Sequence, residues 1–301
     1  MHDLPHSFPF FGETLALINA VTWAYVVILF KICGTKVGPT SLNIFKIAVG
    51  LVLMIFTTLI MQLRFFPNLE FNIYLLLAIS GILGIGIADT LFFKSLNLLG
   101  ASRSAIVDCL YSPFIIFFSF IFLGEHLSFN DAVGALLVVS SLFLLSSEGR
   151  ADRIDRKSLI NGIFAGVLSM SSMAFGIIII KPMLSDLPVV WVAMIRMFFG
   201  VVALALFSFF QPERKKTWSI FLPQKIWRVV LPACLLGSYV TMLLWIGSFK
   251  FASANVAGIL TQLSVVFTVI FAYLLLKEPL TKRKIISLIL ALFGSFLVIG
   301  S

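Results

Sequence analysis

Charge is what this chain has least of. Only 12% of its 301 residues are Asp, Glu, Lys or Arg, whereas 60% are hydrophobic. A soluble domain carries about a quarter charged residues, enough to clothe its surface. This chain cannot clothe one, and a mean hydropathy of +1.10 argues against a water-soluble fold. Lipid is the solvent that removes the contradiction. Histidine and cysteine are scarce as well, with three of each. His2, His6 and His126 lie in terminal or loop segments, so no HExxH zinc helix exists. Cys33, Cys109 and Cys234 show no CxxC or Cys/His metal spacing. An odd, scattered set builds no disulfide framework, so they read as small buried hydrophobes. The stretch from Met1 to Phe11 lacks a basic n-region and a small-residue cleavage site. The first apolar run is therefore expected to be a retained helix. The net charge is +9, yet the basic residues sit in short loops between apolar runs. No nucleic-acid partner is expected from that placement.

What the chain does have is long apolar runs. A helix needs roughly 20 such residues to cross the hydrocarbon core. Ten runs qualify: 11–30, 42–62, 72–98, 104–123, 131–147, 158–180, 189–210, 229–249, 255–276 and 284–300. The third is long enough to tilt or to hold a break. Helix is the expected state, because an unclosed strand in lipid leaves backbone groups unsatisfied. The fold class is all-α, a polytopic membrane protein of ten transmembrane helices in a plasma or inner membrane.

A repeat search divides the chain at residues 1–150 and 151–301. An offset of 150 pairs Gly12 with Gly162, Lys31 with Lys181, Lys46 with Arg196, and Gly50 with Gly200. At 151, Thr90, Ala101 and Ser102 meet Thr241, Ala252 and Ser253. At 153, Leu123-Gly124-Glu125-His126-Leu127-Ser128 meets Leu276-Lys277-Glu278-Pro279-Leu280-Thr281. A slowly rising offset is what duplication with small insertions leaves. Five helices per half is odd, so the second half enters the membrane inverted, related by an in-plane pseudo-two-fold axis. The loops after helices 1, 3, 5, 7 and 9 carry sixteen Lys or Arg, against three on the other side. The bias predicts a cytoplasmic basic face and outside termini.

These paired motifs, each preceded by small residues (Ala101-Ser102 and Ala252-Ser253-Ala254), resemble the ten-helix EamA-type permeases of the drug/metabolite transporter superfamily. The similarity spans nearly the whole chain. It implies a permease with a central cavity between the five-helix halves, working by alternating access. It is nearly silent about substrate, and many relatives keep their termini in the cytoplasm. Glu125 and Glu278 are expected to act structurally, as carboxylates beside the N-terminus of the following helix, which Ser128 or Thr281 caps.

Ionisable residues inside a span are costly, and hence functional candidates. They are Lys46, Asp89, Lys94, Asp108 and Arg196. Lys46, Asp89, Lys94 and Asp108 fall in one half of the membrane, forming either a structural ion-pair network or a polar cavity for a zwitterion or a proton relay. Lys46 and Arg196, equivalent in the repeats, are placed near opposite surfaces, one at each entrance. Polar stripes at helical spacing add Asn19 with Thr22 and Trp23, Asp108 with Tyr111, and Thr261 with Ser264 and Thr268. Gln262 lies beside the last stripe, and Trp191, Trp245 and Tyr273 supply further flat apolar surfaces. The site expected to bind substrate is Asn19, Trp23, Lys46, Asp89, Lys94, Asp108, Tyr111, Arg196, Trp245, Thr261 and Gln262, with no catalytic or metal-binding residue. Amino acids and related amine-bearing solutes lead the substrate classes. No cofactor is expected, proton coupling is open, and the chain is read as a monomer or homodimer in the bilayer. The alternatives are an intramembrane aspartyl enzyme using Asp89 and Asp108, or a channel, sensor or assembly factor. An enzyme is disfavoured because Asp89 follows Gly-Ile-Ala and no GxGD motif exists.

Overall fold

The computed structural model describes residues 10–124, 129–146, 154–184, 186–210, 214–251 and 260–299. Among these residues all regular structure is helical. In chain order the helices are α1 (Phe11–Gly34), α2 (Pro39–Ile60), α3 (Phe71–Leu99), α4 (Ala101–Leu123), α5 (Phe129–Ser146), α6 (Arg156–Ile178), α7 (Val189–Phe209), α8 (227–251), α9 (Leu260–Leu276) and α10 (Lys282–Ile299). Among the described residues, α1–α4 and α6–α8 are seven helices long and apolar enough to cross a membrane. The shorter α5, α9 and α10 stand where the remaining apolar runs lie. Large side chains such as Phe56, Phe143, Phe164 and Phe207 point outward and exposed, as a lipid-facing surface requires.

Local chemistry explains where helices begin and end. Pro39 opens α2 after an extended Gly38, since its missing N–H is an orphan there anyway. Asp155 caps α6 by accepting the Ser158 amide at 2.8 Å and its hydroxyl at 2.6 Å, which holds the Asp155 carboxyl below its usual range. Thr281 caps α10 through the Lys284 amide at 3.2 Å. Gly100, at φ +87°, makes the corner between α3 and α4, so α4 starts three residues earlier than its apolar run. Gly124 and its repeat mate Lys277 both close their helices in the left-handed conformation, at φ +66° and +56°. The lysine departs from the glycine motif in residue type but keeps the geometry. Glu125 and Ser128, and Ala252-Ser253-Ala254, lie outside the described residues.

The packing has two-fold logic. Helix α1 packs on α8 and α9, and correspondingly α6 packs on α3 and α4. Helix α2 meets its own mate α7, and α5 meets its mate α10. Pairs that either exchange or map onto themselves are the signature of a two-fold axis between halves. The interior deviations obey the same symmetry. Helix α3 carries a π segment at Ile82–Ile87 and α8 another at Leu235–Val240, 153 residues on. The structural offset for this pair is therefore 153, not the 151 suggested by Thr90 and Thr241. Asn43 of α2 satisfies the loosened backbone of α3, donating to the carbonyls of Ile85 and Gly86 at 3.0 and 2.9 Å.

Glycine lets the halves touch backbone to backbone. A Cβ on Gly81 would sit 2.1 Å from the Arg196 carbonyl oxygen, and one on Gly176 would sit 3.0 Å from the Gly84 Cα. Gly81→Ala is expected to cost about 1–3 kcal/mol, because α3 or α7 must shift as a unit. Thermal unfolding in detergent measures it, and an unchanged midpoint would mean that the contact is slack.

Candidate functional site

A cavity of about 170 Å³ lies between the repeats. Its wall comes from α1–α4 and α6–α9, and it sits where both π segments and both broken helices converge. Helix α4 is interrupted at Cys109–Leu110 and α9 at Leu263, repeat mates at the same offset of 153. Both interruptions fall beside cavity residues, Asp108 and Tyr111 on α4, Gln262 and Ser264 on α9. Irregular backbone at membrane depth is tolerable where it is buried in protein or lines a cavity.

The structure gathers Asn19, Trp23, Lys46, Asp89, Asp108, Tyr111, Arg196, Trp245, Thr261 and Gln262 around this one space. Lys94 is not among them. It is exposed, five residues beyond Asp89 and so about 140° round the helix from it, on the outer face of α3. Lys46 and Arg196 do not guard separate entrances either. Both are buried, at 5% and 3% exposure, and both face the same cavity, because α2 and α7 pack on each other across the two-fold axis. Of the remaining aromatics, Trp191 is buried elsewhere, donating to the Phe65 carbonyl at 2.9 Å, and Tyr273 is exposed. Thr22 turns back on the Ile18 carbonyl at 2.7 Å.

Residues without charge complete the wall: Phe92, Ala105, Met170, Met173, Met242 and Val265 among them. Only their repeat positions betray them in sequence. Met173 is the mate of Trp23, Met242 of Asp89, and Trp245 of Phe92. The cavity thus uses equivalent positions from both halves with different chemistry at each.

That asymmetry decides the electrostatics. Lys46 makes an ion pair with Asp89 and stands over the Phe93 ring, 5.5 Å from its centroid. Arg196 occupies the mate of Lys46, but the mate of Asp89 is Met242, which supplies no carboxylate. Among the described residues, Arg196 Nε and Nη1 are buried without a hydrogen-bond partner. So are Asp108 Oδ1, Asn19 Oδ1, Thr261 Oγ1 and Gln262 Nε2, all on the same cavity. Buried polar atoms are ordinarily paired, so a cluster of orphans calls for an occupant. Asp89 is engaged by Lys46, an arrangement unlike two carboxylates sharing a proton.

Two stretches of the chain, 10–147 and 160–300, each match the EamA-like transporter family. The chain belongs to that family. It is 25% identical over 287 residues to an uncharacterized transporter of Archaeoglobus fulgidus, covering 95% of this chain and 96% of that one. An uncharacterized transporter of Methanothermobacter thermautotrophicus is 22% identical over 227 residues, 75% of this chain and 65% of its own length. A solved crystal structure superposes with a TM-score of 0.66 over 95% of this chain and 96% of that chain, at 15% identity, a likeness of fold. The protein is accordingly a multi-pass integral membrane transporter with the two-repeat EamA fold.

The second of the paired glutamates has an unexpected use. Glu278 does not serve α10, the helix that follows it. Its Oε1 accepts the Ala101 amide at 2.7 Å and its Oε2 accepts the Ser102 amide at 3.0 Å, capping α4 of the other repeat. Beside it, Lys31 donates to the last carbonyls of α3, Leu96 and Asn97, both at 2.9 Å. Cation at the C-terminus and anion at the N-terminus complement both helix dipoles at one corner.

Proposed function

We propose that this transporter carries small zwitterionic metabolites, amino acids and related amine-bearing solutes, by alternating access through the central cavity. One observation carries the reading. Among the described residues, Arg196 offers N–H donors and Asp108 a carboxylate oxygen without hydrogen-bond partners within one cavity, while Lys46 is paired with Asp89. A solute bearing both a carboxylate and an ammonium would pair both poles at once. Charge-assisted hydrogen bonds are the strong ones, and the planar guanidinium suits a carboxylate. Trp23, Tyr111 and Trp245 would flank an apolar or ring-bearing side chain. The two-repeat architecture supports alternating access, since related halves can rock about a shared site. We further propose that the Lys46–Asp89 pair couples the cycle to protons.

Matched solute triplets test this. Proteoliposomes loaded with radiolabelled leucine or phenylalanine are challenged with the parent amino acid, the amine lacking its carboxylate, and the acid lacking its ammonium. The zwitterion is expected to compete at least about tenfold better than either singly charged analogue, the worth of one charge-assisted contact. Equal competition by the acid would make the protein an organic-anion carrier and sink the zwitterion.

A further inference from the structure

The carboxylate of Glu278 is a cross-repeat tie, and we infer that it is the bolt of a gate on the basic-loop face. Its two hydrogen bonds, at 2.7 and 3.0 Å, join the end of α9 in the second repeat to the start of α4 in the first. These are two of the helices that wall the cavity, through Ala105 and Asp108 on one and Val265 and Thr268 on the other. From Ala101 to Asp108 is about 10 Å of helix, so the bolt sits at the mouth and not in the solute site.

Several features suit it to release. The partners are backbone amides in a first helical turn, which have no intrahelical acceptor and which water can serve once the carboxylate leaves. Glu278 is only half-buried, so part of its side chain already meets solvent. Lys31, which caps the neighbouring end of α3, adds an electrostatic attraction to Glu278 in the closed arrangement and stays with α3 in its own repeat when the carboxylate leaves. Gly100 is shaped to admit the carboxylate. Its φ of +87° turns the corner, and a Cβ there would lie 2.8 Å from Glu278 Oε1. Below the bolt, the interruption of α4 at Cys109–Leu110 lets the outer half-helix Ala101–Asp108 tilt without carrying Tyr111–Leu123 with it. Glu278 is therefore a positioning residue, acting on access through α4 and never touching the solute. This rests on alternating access but not on the identity of the solute.

The test reads accessibility from each face. Cys33, Cys109 and Cys234 are replaced by alanine, and a single cysteine is placed at Ala105. A charged, impermeant methanethiosulfonate is then applied to right-side-out and inside-out vesicles. Glu278→Gln keeps the size but donates where it must accept, and Gly100→Ala leaves the carboxylate intact while displacing it. Each variant is expected to raise the labelling rate from the basic-loop face about tenfold, the loss of one charge-assisted contact, and to lower it from the opposite face. A cap with no gating role predicts something else: rates unchanged on both faces, or rising on both as the fold loosens. Either pattern in whichever variant folds overturns the bolt. Reciprocal labelling without movement of any amino acid would keep the gate and remove the proposed solute.

Discussion

Arg196→Gln is expected to lower transport about a hundredfold while leaving the protein as stable as the parent, or more so. Truncating one partner of a buried charged contact with a ligand costs about 2–5 kcal/mol, and a hundredfold lies inside that range. The stability expectation has the opposite sign. Arg196 is a buried cation with two N–H groups that find no hydrogen-bond partner among the described residues, a burden on the fold that the nearby Asp89 charge offsets only in part. Gln removes the charge and keeps a polar end. A residue whose loss stabilises the protein and stops transport is held for function, at the expense of the fold. Arg196→Lys should recover little, because a point ammonium cannot present two donors in a plane. Uptake into proteoliposomes and thermal unfolding of the same preparations check both halves. A variant that unfolds more easily than the parent would return Arg196 to a structural role.

Much of this was legible in the sequence, and for identifiable reasons. Charges inside apolar runs are conspicuous because lipid makes them costly, so Lys46, Asp89, Asp108 and Arg196 stood out and share one cavity. The same rule misled at Lys94, since cost along the sequence says nothing about which face of a helix a residue takes. Depth misled at Lys46 and Arg196. Equivalent positions in inverted halves look far apart until α2 and α7 are known to pack on each other across the two-fold axis. The role of Glu278 was out of reach. Its acceptors' partners lie 177 and 176 residues away in the other repeat, and no local pattern encodes that pairing. The neutral wall, Met173 and Met242 above all, shows no signal of its own. Only the repeat register points to it, and that register was two residues short for α3 and α8.

Lys46→Met should be the most damaging single change in the cavity, costing about 3–5 kcal/mol of stability. Breaking a buried pair leaves the partner charge uncompensated, here the Asp89 carboxylate at 6% exposure. Joining it with Asp89→Leu should restore most of the loss, because buried pairs are often replaceable by apolar side chains of similar volume. Arg196→Gln and Lys46→Met thus move stability in opposite directions, although the two positions are repeat mates. The rescued double variant then separates the two roles of the pair. If Lys46 and Asp89 only brace the fold, it transports leucine like the parent at every pH from about 5 to 8. If they couple the cycle, charge balance at Asp89 is kept by Lys46 in one state and by a proton in the other. The double variant then inserts normally, moves leucine down its own gradient, and no longer accumulates it against a gradient when a pH difference is imposed. We expect the second result. The Phe93 ring and the cavity opening beside Lys46 give the ammonium somewhere to go, which a purely bracing pair would not require.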